Sequence, residues 1–215
     1  MNRTTKCSWT SYACALALGI GALHAQAGEG GLYAPNAPKG SAFVRAYNAG
    51  NSELSMSVGN TDLNDIAPLA SSDFSFLPAG SYSAQVGSAN LPVQLDADHY
   101  YTLVSQPGAA PKLVEEAPFT NKQKALLRVQ NLSGSTLSLK TADGKAAVVD
   151  GVAPNDSGQR EVNPVKVSLA LFDGQRKVSD LKPVSLARGE VVCLYITGTP
   201  GQLSPVWVKR PAKTD

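Results

Sequence analysis

The residues in this sequence that could take part in catalysis lie in a few short segments, the first being Asp96-Ala97-Asp98-His99. In some hydrolases and acetyltransferases, an aspartate three residues before a histidine orients the imidazole that activates a serine hydroxyl. The same segment could also contribute ligands to a metal ion, although three nearby side chains do not complete an oxygen-rich site. Asp96 to His99 also fits a hairpin corner before the strand that begins at Tyr100, and we predict that corner.

Two further nucleophiles stand alone in the sequence. Ser157 lies in Pro154-Asn155-Asp156-Ser157-Gly158, where every residue favours a turn, and no Gly-x-Ser-x-Gly segment occurs. Cys193 lies in the apolar segment Val191–Ile196, where a free cysteine behaves as a small buried hydrophobic residue. We therefore predict no catalytic residue, no cofactor site and no metal site, and a protein that is not an enzyme.

The sequence pattern of the segments around these residues predicts β-strands. Val165, Val167, Leu169 and Leu171 alternate with other residues and so share one face of a strand. Turn pairs such as Asp173-Gly174 separate short segments rich in Val, Leu, Tyr and Phe, and no segment has a helical period. This pattern predicts an all-β protein built from antiparallel β-sandwiches of immunoglobulin-like architecture.

Two blocks of the sequence occur twice in the same order. Ala42–Asn48 is similar to Ala125–Asn131 at an offset of 83 residues, and Tyr100–Leu103 matches Val191–Leu194 at an offset of 91. Such repetition predicts two tandem domains related by internal duplication. Arg45 and its equivalent Arg128 are expected to be solvated, or paired across the strand, on the face opposite the core.

The N-terminus has the three parts of a secretory signal. Arg3 and Lys6 precede an apolar segment at 12–23, and Ala25-Gln26-Ala27 forms a small-x-small site. We predict cleavage between Ala27 and Gly28, and a soluble periplasmic protein if the source is Gram-negative. The predicted organisation is therefore a signal peptide at 1–27, an acidic β-sandwich at 28–118 and a basic one at 119–215.

The charge of the 188 residues that remain after cleavage (215 − 27) is unevenly divided. Residues 28–120 contain 3 basic and 9 acidic residues, and residues 121–215 contain 14 basic and 8 acidic residues, so the halves carry −6 and +6. A net charge of zero argues against a nucleic-acid-binding protein. The candidate contacts with a polyuronate or a partner protein are Arg176, Lys177, Trp207, Lys209 and Arg210. An alternative reading is a solvated basic surface that has no specific ligand.

Gly31-Leu32-Tyr33-Ala34-Pro35, the strand at Phe43-Val44-Arg45 and the segments 91–105 and 191–196 resemble the periplasmic alginate O-acetylation protein F family (AlgF). The resemblance implies a non-catalytic accessory protein required for acetylation of mannuronate at O-2 and O-3. Its implied partners are periplasmic alginate acetyltransferases and a membrane-bound O-acetyltransferase. Two alternatives stay open: an alginate-binding carbohydrate module that uses the basic half, and an acetyltransferase or esterase that uses Asp96 and His99.

Overall fold

A computed structural model describes residues 37–116 and 118–210, and this part of the chain is built from strands joined by turns. It contains no helix of the length and apolar character needed to cross a membrane. The strands of the first half are β1 (Ser41–Asn48), β2 (Leu54–Val58), β3 (Thr61–Ile66), β4 (Ala70–Ser71), β5 (Ser75–Pro78), β6 (Gly80–Val86), β7 (Ala89–Leu95), β8 (Tyr100–Ser105) and β9 (Lys112–Glu116). Those of the second half are β10 (Ala125–Asn131), β11 (Leu137–Thr141), β12 (Ala147–Val152), β13 (Ser157–Val162), β14 (Val165–Val167), β15 (Leu169–Asp173), β16 (Arg176–Asp180), β17 (Val184–Leu186), β18 (Val191–Thr199) and β19 (Gln202–Arg210).

Each half is a sandwich with its own core. In the first half, the sheet β4-β1-β8-β9, to which β5 adds on β1, packs on the sheet β3-β2-β6-β7. In the second half, the sheet β13-β10-β18-β19 packs on the sheet β12-β11-β15-β16, and β14 and β17 form a small extra pair. The predicted all-β fold of two sandwiches is confirmed. The predicted boundary between residues 118 and 119 falls between β9 and β10 and stays a prediction.

Both halves contain one parallel pair of strands, which the alternation of side chains did not indicate. β1 pairs with β8 in parallel, and β10 pairs with β18 in the same way. The other strand pairs within the described residues are antiparallel. Parallel pairing is compatible with the fold because a long stretch of chain separates β1 from β8 and β10 from β18.

The strand registers confirm the internal duplication. Phe43 pairs with Tyr100 in the first half, and Leu126 pairs with Val191 in the second, which reproduces the offsets of 83 (126 − 43) and 91 (191 − 100). Asp98 has a φ of 64° in the turn before β8, and Gly189 has a φ of 72° at the equivalent position before β18. The two copies therefore share backbone conformation as well as sequence.

A buried asparagine closes the same corner in each copy. The Asn48 amide donates to the carbonyl oxygens of Ser52 and Ile66 at 2.7 and 2.9 Å. The Asn131 amide donates to the carbonyls of Ser135 and Val152 at the same two distances. Each side chain satisfies buried backbone groups where the chain leaves its first strand, which is why both copies keep an amide there.

A third apolar cluster joins the two halves along a seam between the β1-β8 sheet and the β10-β18 sheet. It contains Tyr47, Ala49, Val104, Val114, Leu132, Cys193, Tyr195 and Val208. Because side chains alternate along a strand, β8 and β18 each give one face to a core and the other face to the seam. The four sheets thus stack as successive layers, with the sheets β3-β2-β6-β7 and β12-β11-β15-β16 outermost.

Candidate functional site

The segment Asp96–His99 forms the predicted turn. The Asp98 amide donates to the Ser41 carbonyl at 2.8 Å, and the Asp96 amide donates to the Tyr101 hydroxyl at 2.9 Å. His99 Nδ1 lies 2.6 Å from Glu115 Oε1 on the adjacent strand, with both side chains partly exposed. Among the described residues, no group of three His, Cys, Asp or Glu side chains is placed to hold a metal ion.

Ser157 and Cys193, the two other candidate nucleophiles, are held within the fold by a hydrogen bond and by burial, respectively. Ser157 begins β13, and its hydroxyl accepts a hydrogen bond from Arg128 Nη2 at 3.2 Å. Cys193 is 1% exposed in the seam, where burial raises the pKa of its thiol to about 12. Because the thiolate is the reactive form, a cysteine with this pKa is a poor nucleophile at neutral pH.

A buried charged cluster lies in the seam around Glu116, whose side chain is 2% exposed. Glu116 Oε1 accepts hydrogen bonds from Arg45 Nη2 at 2.8 Å, from Thr102 at 3.1 Å and from the Tyr195 hydroxyl at 3.2 Å. Arg210 Nη1 of the second half lies 3.5 Å from Glu116 Oε2. A single carboxylate therefore binds groups from both halves of the chain.

The electrostatics of this cluster favour the charged form of Glu116. Burial alone would raise the pKa of its carboxyl group, but Arg45, Arg210 and Arg128 outweigh burial and hold the pKa below its usual range. Burial lowers the pKa of Arg210, and Glu116 opposes that effect.

Aromatic rings cover the guanidinium groups: Arg210 Cζ lies 4.0 Å from the centre of the Tyr100 ring, and Arg45 Cζ lies 4.5 Å from that of Phe74.

These positions correct one sequence prediction and decide between the alternatives of another. Arg210 is 7% exposed and packs in the seam, so it does not contribute to a surface for a polyuronate or a partner protein. Arg45 and Arg128 are 2% and 9% exposed, so the second of the two predicted alternatives, pairing across the strand, is confirmed. Arg45 donates to its cross-strand neighbour Thr102 at 3.0 Å, and Arg128 donates to its neighbour Gln159 at 3.5 Å. The reason is the same in each case: the strand face opposite the sandwich core is covered by the other half of the chain.

The other four candidate contacts separate into two places. Arg176 and Lys177 lie at the turn between β15 and β16, where they form exposed ion pairs with Asp173 and Asp180. Trp207 and Lys209 lie on β19, which contacts β17 through Lys209 and the residues just before β17 through Trp207. Trp207 is half-buried, packs against the second core and donates its indole N–H to the Lys182 carbonyl at 3.1 Å.

We call the basic face the four exposed cations that lie on or next to β14, β17 and β19, which are Lys166 on β14, Lys182 and Arg188 on either side of β17, and Lys209 on β19. Lys166 is paired with Ser185 across β14 and β17, and Lys209 Nζ donates to the Ser185 carbonyl at 2.7 Å. All four cations are exposed, and Lys209 also pairs with the buried Glu190. Sequence reasoning missed three of the four because they are widely separated along the chain.

The equivalent strand pair in the first half is uncharged. Ser81 and Gln94 are paired across β6 and β7 as Lys166 and Ser185 are across β14 and β17. The fold therefore does not require a lysine at this position, and the basic face is a property of the second half. Ala27 and Gly28, the predicted cleavage site, lie outside the described residues.

Comparison with known proteins identifies the family. A model of the family described as "Alginate O-acetyl transferase AlgF" matches residues 15–193. The chain belongs to the AlgF family. The alginate biosynthesis protein AlgF of Pseudomonas aeruginosa is 72% identical over 212 residues, which are 99% of this chain and 98% of that protein. The family resemblance seen in the sequence is confirmed, and with it a role in alginate biosynthesis and acetylation.

Two solved structures from the same family match the two halves. The C-terminal domain of AlgF from P. aeruginosa is 75% identical, and the match covers 41% of this chain and 100% of that domain with a TM-score of 0.39. The N-terminal domain of AlgF from P. aeruginosa is 68% identical, and the match covers 38% of this chain and 99% of that domain with a TM-score of 0.34.

Proposed function

We propose that this chain is a non-catalytic accessory protein of alginate O-acetylation, which acts as an adaptor between other proteins of the system. The observation that carries the proposal is that the side chains that could react are buried or hydrogen-bonded to neighbouring residues of the fold. Cys193 is buried in the seam, Ser157 is bonded to Arg128, and His99 is bonded to Glu115 in a turn. In place of a reaction centre, the described chain offers two sandwiches joined by a buried interface.

Adaptor function is supported by the difference between the two halves. Their backbones match, yet one half carries the basic face and the other has serine and glutamine at the equivalent strand pair. Surfaces of unlike charge select unlike partners. The partners in this proposal are the periplasmic alginate acetyltransferases and the membrane-bound O-acetyltransferase of the same system.

The test is a pull-down of the chain from Gly28 onward with the purified periplasmic acetyltransferases. We expect retention at protein concentrations of about 10 µM, the range of a transient but specific complex. A second pull-down replaces Lys166 and Lys182 with serine, which removes charge from the basic face without touching either core. Failure to recover any complex at that concentration would contradict the adaptor proposal.

The periplasmic location is part of the same proposal and has its own test. Fractionation of cells that express the full chain should place the protein in the periplasmic fraction, with an N-terminus at Gly28 by mass spectrometry. An intact N-terminus, together with recovery in the cytoplasmic fraction, would contradict export.

The basic face favours a second candidate function, the binding of alginate itself. Four exposed cations within one small region attract a polyuronate chain, and that attraction weakens as salt screens it. Titration with polymannuronate at low and high salt separates the two functions. Binding that disappears at high salt and in the Lys166→Ser, Lys182→Ser variant supports the second function, and absence of binding at low salt removes it.

A further inference from the structure

The seam is built from equivalent positions of the two repeats. Offsets of 83 along β1 and β10 and of 91 along β8 and β18 define these positions, and the strand registers extend them to β9 and β19. Three of the four seam residues from each half occupy equivalent places. These pairs are Ala49 with Leu132, Val104 with Tyr195, and Val114 with Val208.

The arginines of the repeated strands make reciprocal contacts across the seam. Arg45 donates to the backbone carbonyl of Lys209 at 3.4 Å, and its equivalent Arg128 donates to the backbone carbonyl of Glu115 at 2.8 Å. Glu115 pairs with Tyr101, and Lys209 pairs with Val192 (101 + 91 = 192), so these two carbonyls are also at equivalent positions. A contact from i to j that is matched by one from j to i is the signature of a two-fold interface.

We infer that the two halves form an internal dimer, related by a pseudo-two-fold axis, and that the binding partner of each half's seam face is the other half. The seam is therefore a recognition surface for a second copy of the same fold and holds without the covalent link. This inference does not depend on the function proposed above.

A charge reversal at one pair of equivalent positions specifies which halves can pair. Glu116 pairs with Tyr100 and Arg210 pairs with Val191 (100 + 91 = 191), so Glu116 and Arg210 are equivalent and also lie 3.5 Å apart across the seam. Two copies of the first half would place two carboxylates there, and two copies of the second half would place two guanidinium groups. Buried like charges are strongly unfavourable, so pairing of unlike halves is selected.

The experiment uses the full chain from Gly28 with a protease recognition sequence inserted between Thr120 and Asn121, in the connection between β9 and β10. After the folded protein is cleaved, we expect the halves to co-elute in size-exclusion chromatography. Glu116→Arg would place a fourth guanidinium group beside three existing ones and weaken the association of the halves by about 100- to 1,000-fold. The double variant Glu116→Arg with Arg210→Glu exchanges the two equivalent charges, and it should recover association to within about tenfold of the original.

The control is Glu115→Arg, which makes the same charge change one residue away. The Glu115 side chain is half-exposed, and only its backbone carbonyl contacts Arg128, so association should hold. Circular dichroism before cleavage reports whether each variant is folded. If Glu116→Arg does not fold, Tyr195→Phe removes one hydrogen bond to Glu116 and should weaken association about 5- to 10-fold.

Separation of the unmodified halves after cleavage at about 10 µM would overturn the inference, because the seam would then need the covalent link. A double variant that associates no better than Glu116→Arg alone would overturn the two-fold relation, because the two positions would not be interchangeable. Co-elution together with recovery in the double variant supports both parts.

Discussion

The seam contains a built-in chemical probe, because Cys193 is the sole cysteine of the chain from Gly28 onward. Its thiol is 1% exposed, and burial raises its pKa from an ordinary value of 9.0 to about 12. At pH 8, the thiolate fraction falls from about one in ten to about one in 10,000 for this change in pKa, so alkylation of the folded protein is slowed about 1,000-fold. Shielding by the packed seam slows it further, and labelling must proceed through opening of the seam.

The perturbation is Glu116→Gln, which removes the charge that Arg45 and Arg210 share. Breaking a buried ion pair costs about 3–5 kcal/mol. If the free energy of opening the seam falls by only the lower figure, the open fraction and therefore the labelling rate rise about 100-fold. The assay is alkylation by iodoacetamide at pH 8, followed by mass spectrometry. Glu115→Gln, at a half-exposed position, is the matched control and should change the rate less than about fivefold.

Two results would contradict this role of Glu116. Alkylation of the unmodified protein at the rate of a small free thiol would show that the seam does not protect Cys193. Equal rates for the Glu116→Gln and Glu115→Gln variants would show that the buried carboxylate does not hold the seam closed.

Acid should lower the free energy of unfolding through Glu116, because the pKa of its carboxyl group is lower in the folded protein than the ordinary value of 4.5. The stabilisation from this group is therefore fully present above pH 4.5 and is lost as the pH falls through the folded pKa. Urea unfolding between pH 3 and 7 measures the loss, and Glu116→Gln should flatten the profile; an unchanged slope would contradict the pKa. Asn131→Ala should cost about 3 kcal/mol because it leaves buried backbone groups unpaired, whereas a cost below about 1 kcal/mol would show that water replaces the amide. The Lys166→Ser, Lys182→Ser variant should change the free energy of unfolding by less than about 0.5 kcal/mol, since both side chains are exposed. A larger loss in thermal unfolding would make the basic face structural.

The fold could be read from the sequence because its main signals are local. The repeated Ala42–Asn48 segment is such a signal, because it depends only on residues that are neighbours in the chain. The alternation over residues 165–171 predicted a single strand, and that prediction is wrong: Val165–Val167 and Leu169–Asp173 are separate strands in different sheets, and Val165 is 49% exposed. The two repeated segments contain Asn48 and Asn131 at equivalent positions, but the sequence did not predict that their side-chain amides donate to backbone carbonyls.

The seam could not be read in the same way, because it depends on which sheet faces which. One signal was present: Val191–Ile196 is a continuous apolar segment rather than an alternating one, as expected for a strand buried on both faces. That pattern predicts a second covering layer, and the layer explains why Arg45, Arg128 and Arg210 are buried. The basic face has no sequence signal, since its four cations come together through pairing of β14 with β17 and packing of β19 beside them.

We propose that this chain supports acetylation without performing a chemical step. The most direct measurement is the acetyl content of alginate, determined by NMR, from cells whose own copy is replaced by a His99→Ala, Ser157→Ala, Cys193→Ala variant. Thermal unfolding of the purified variant confirms that it is folded at the growth temperature. We expect acetylation equal to that supported by the unmodified protein. Loss of acetylation with a folded, normally abundant variant would contradict it.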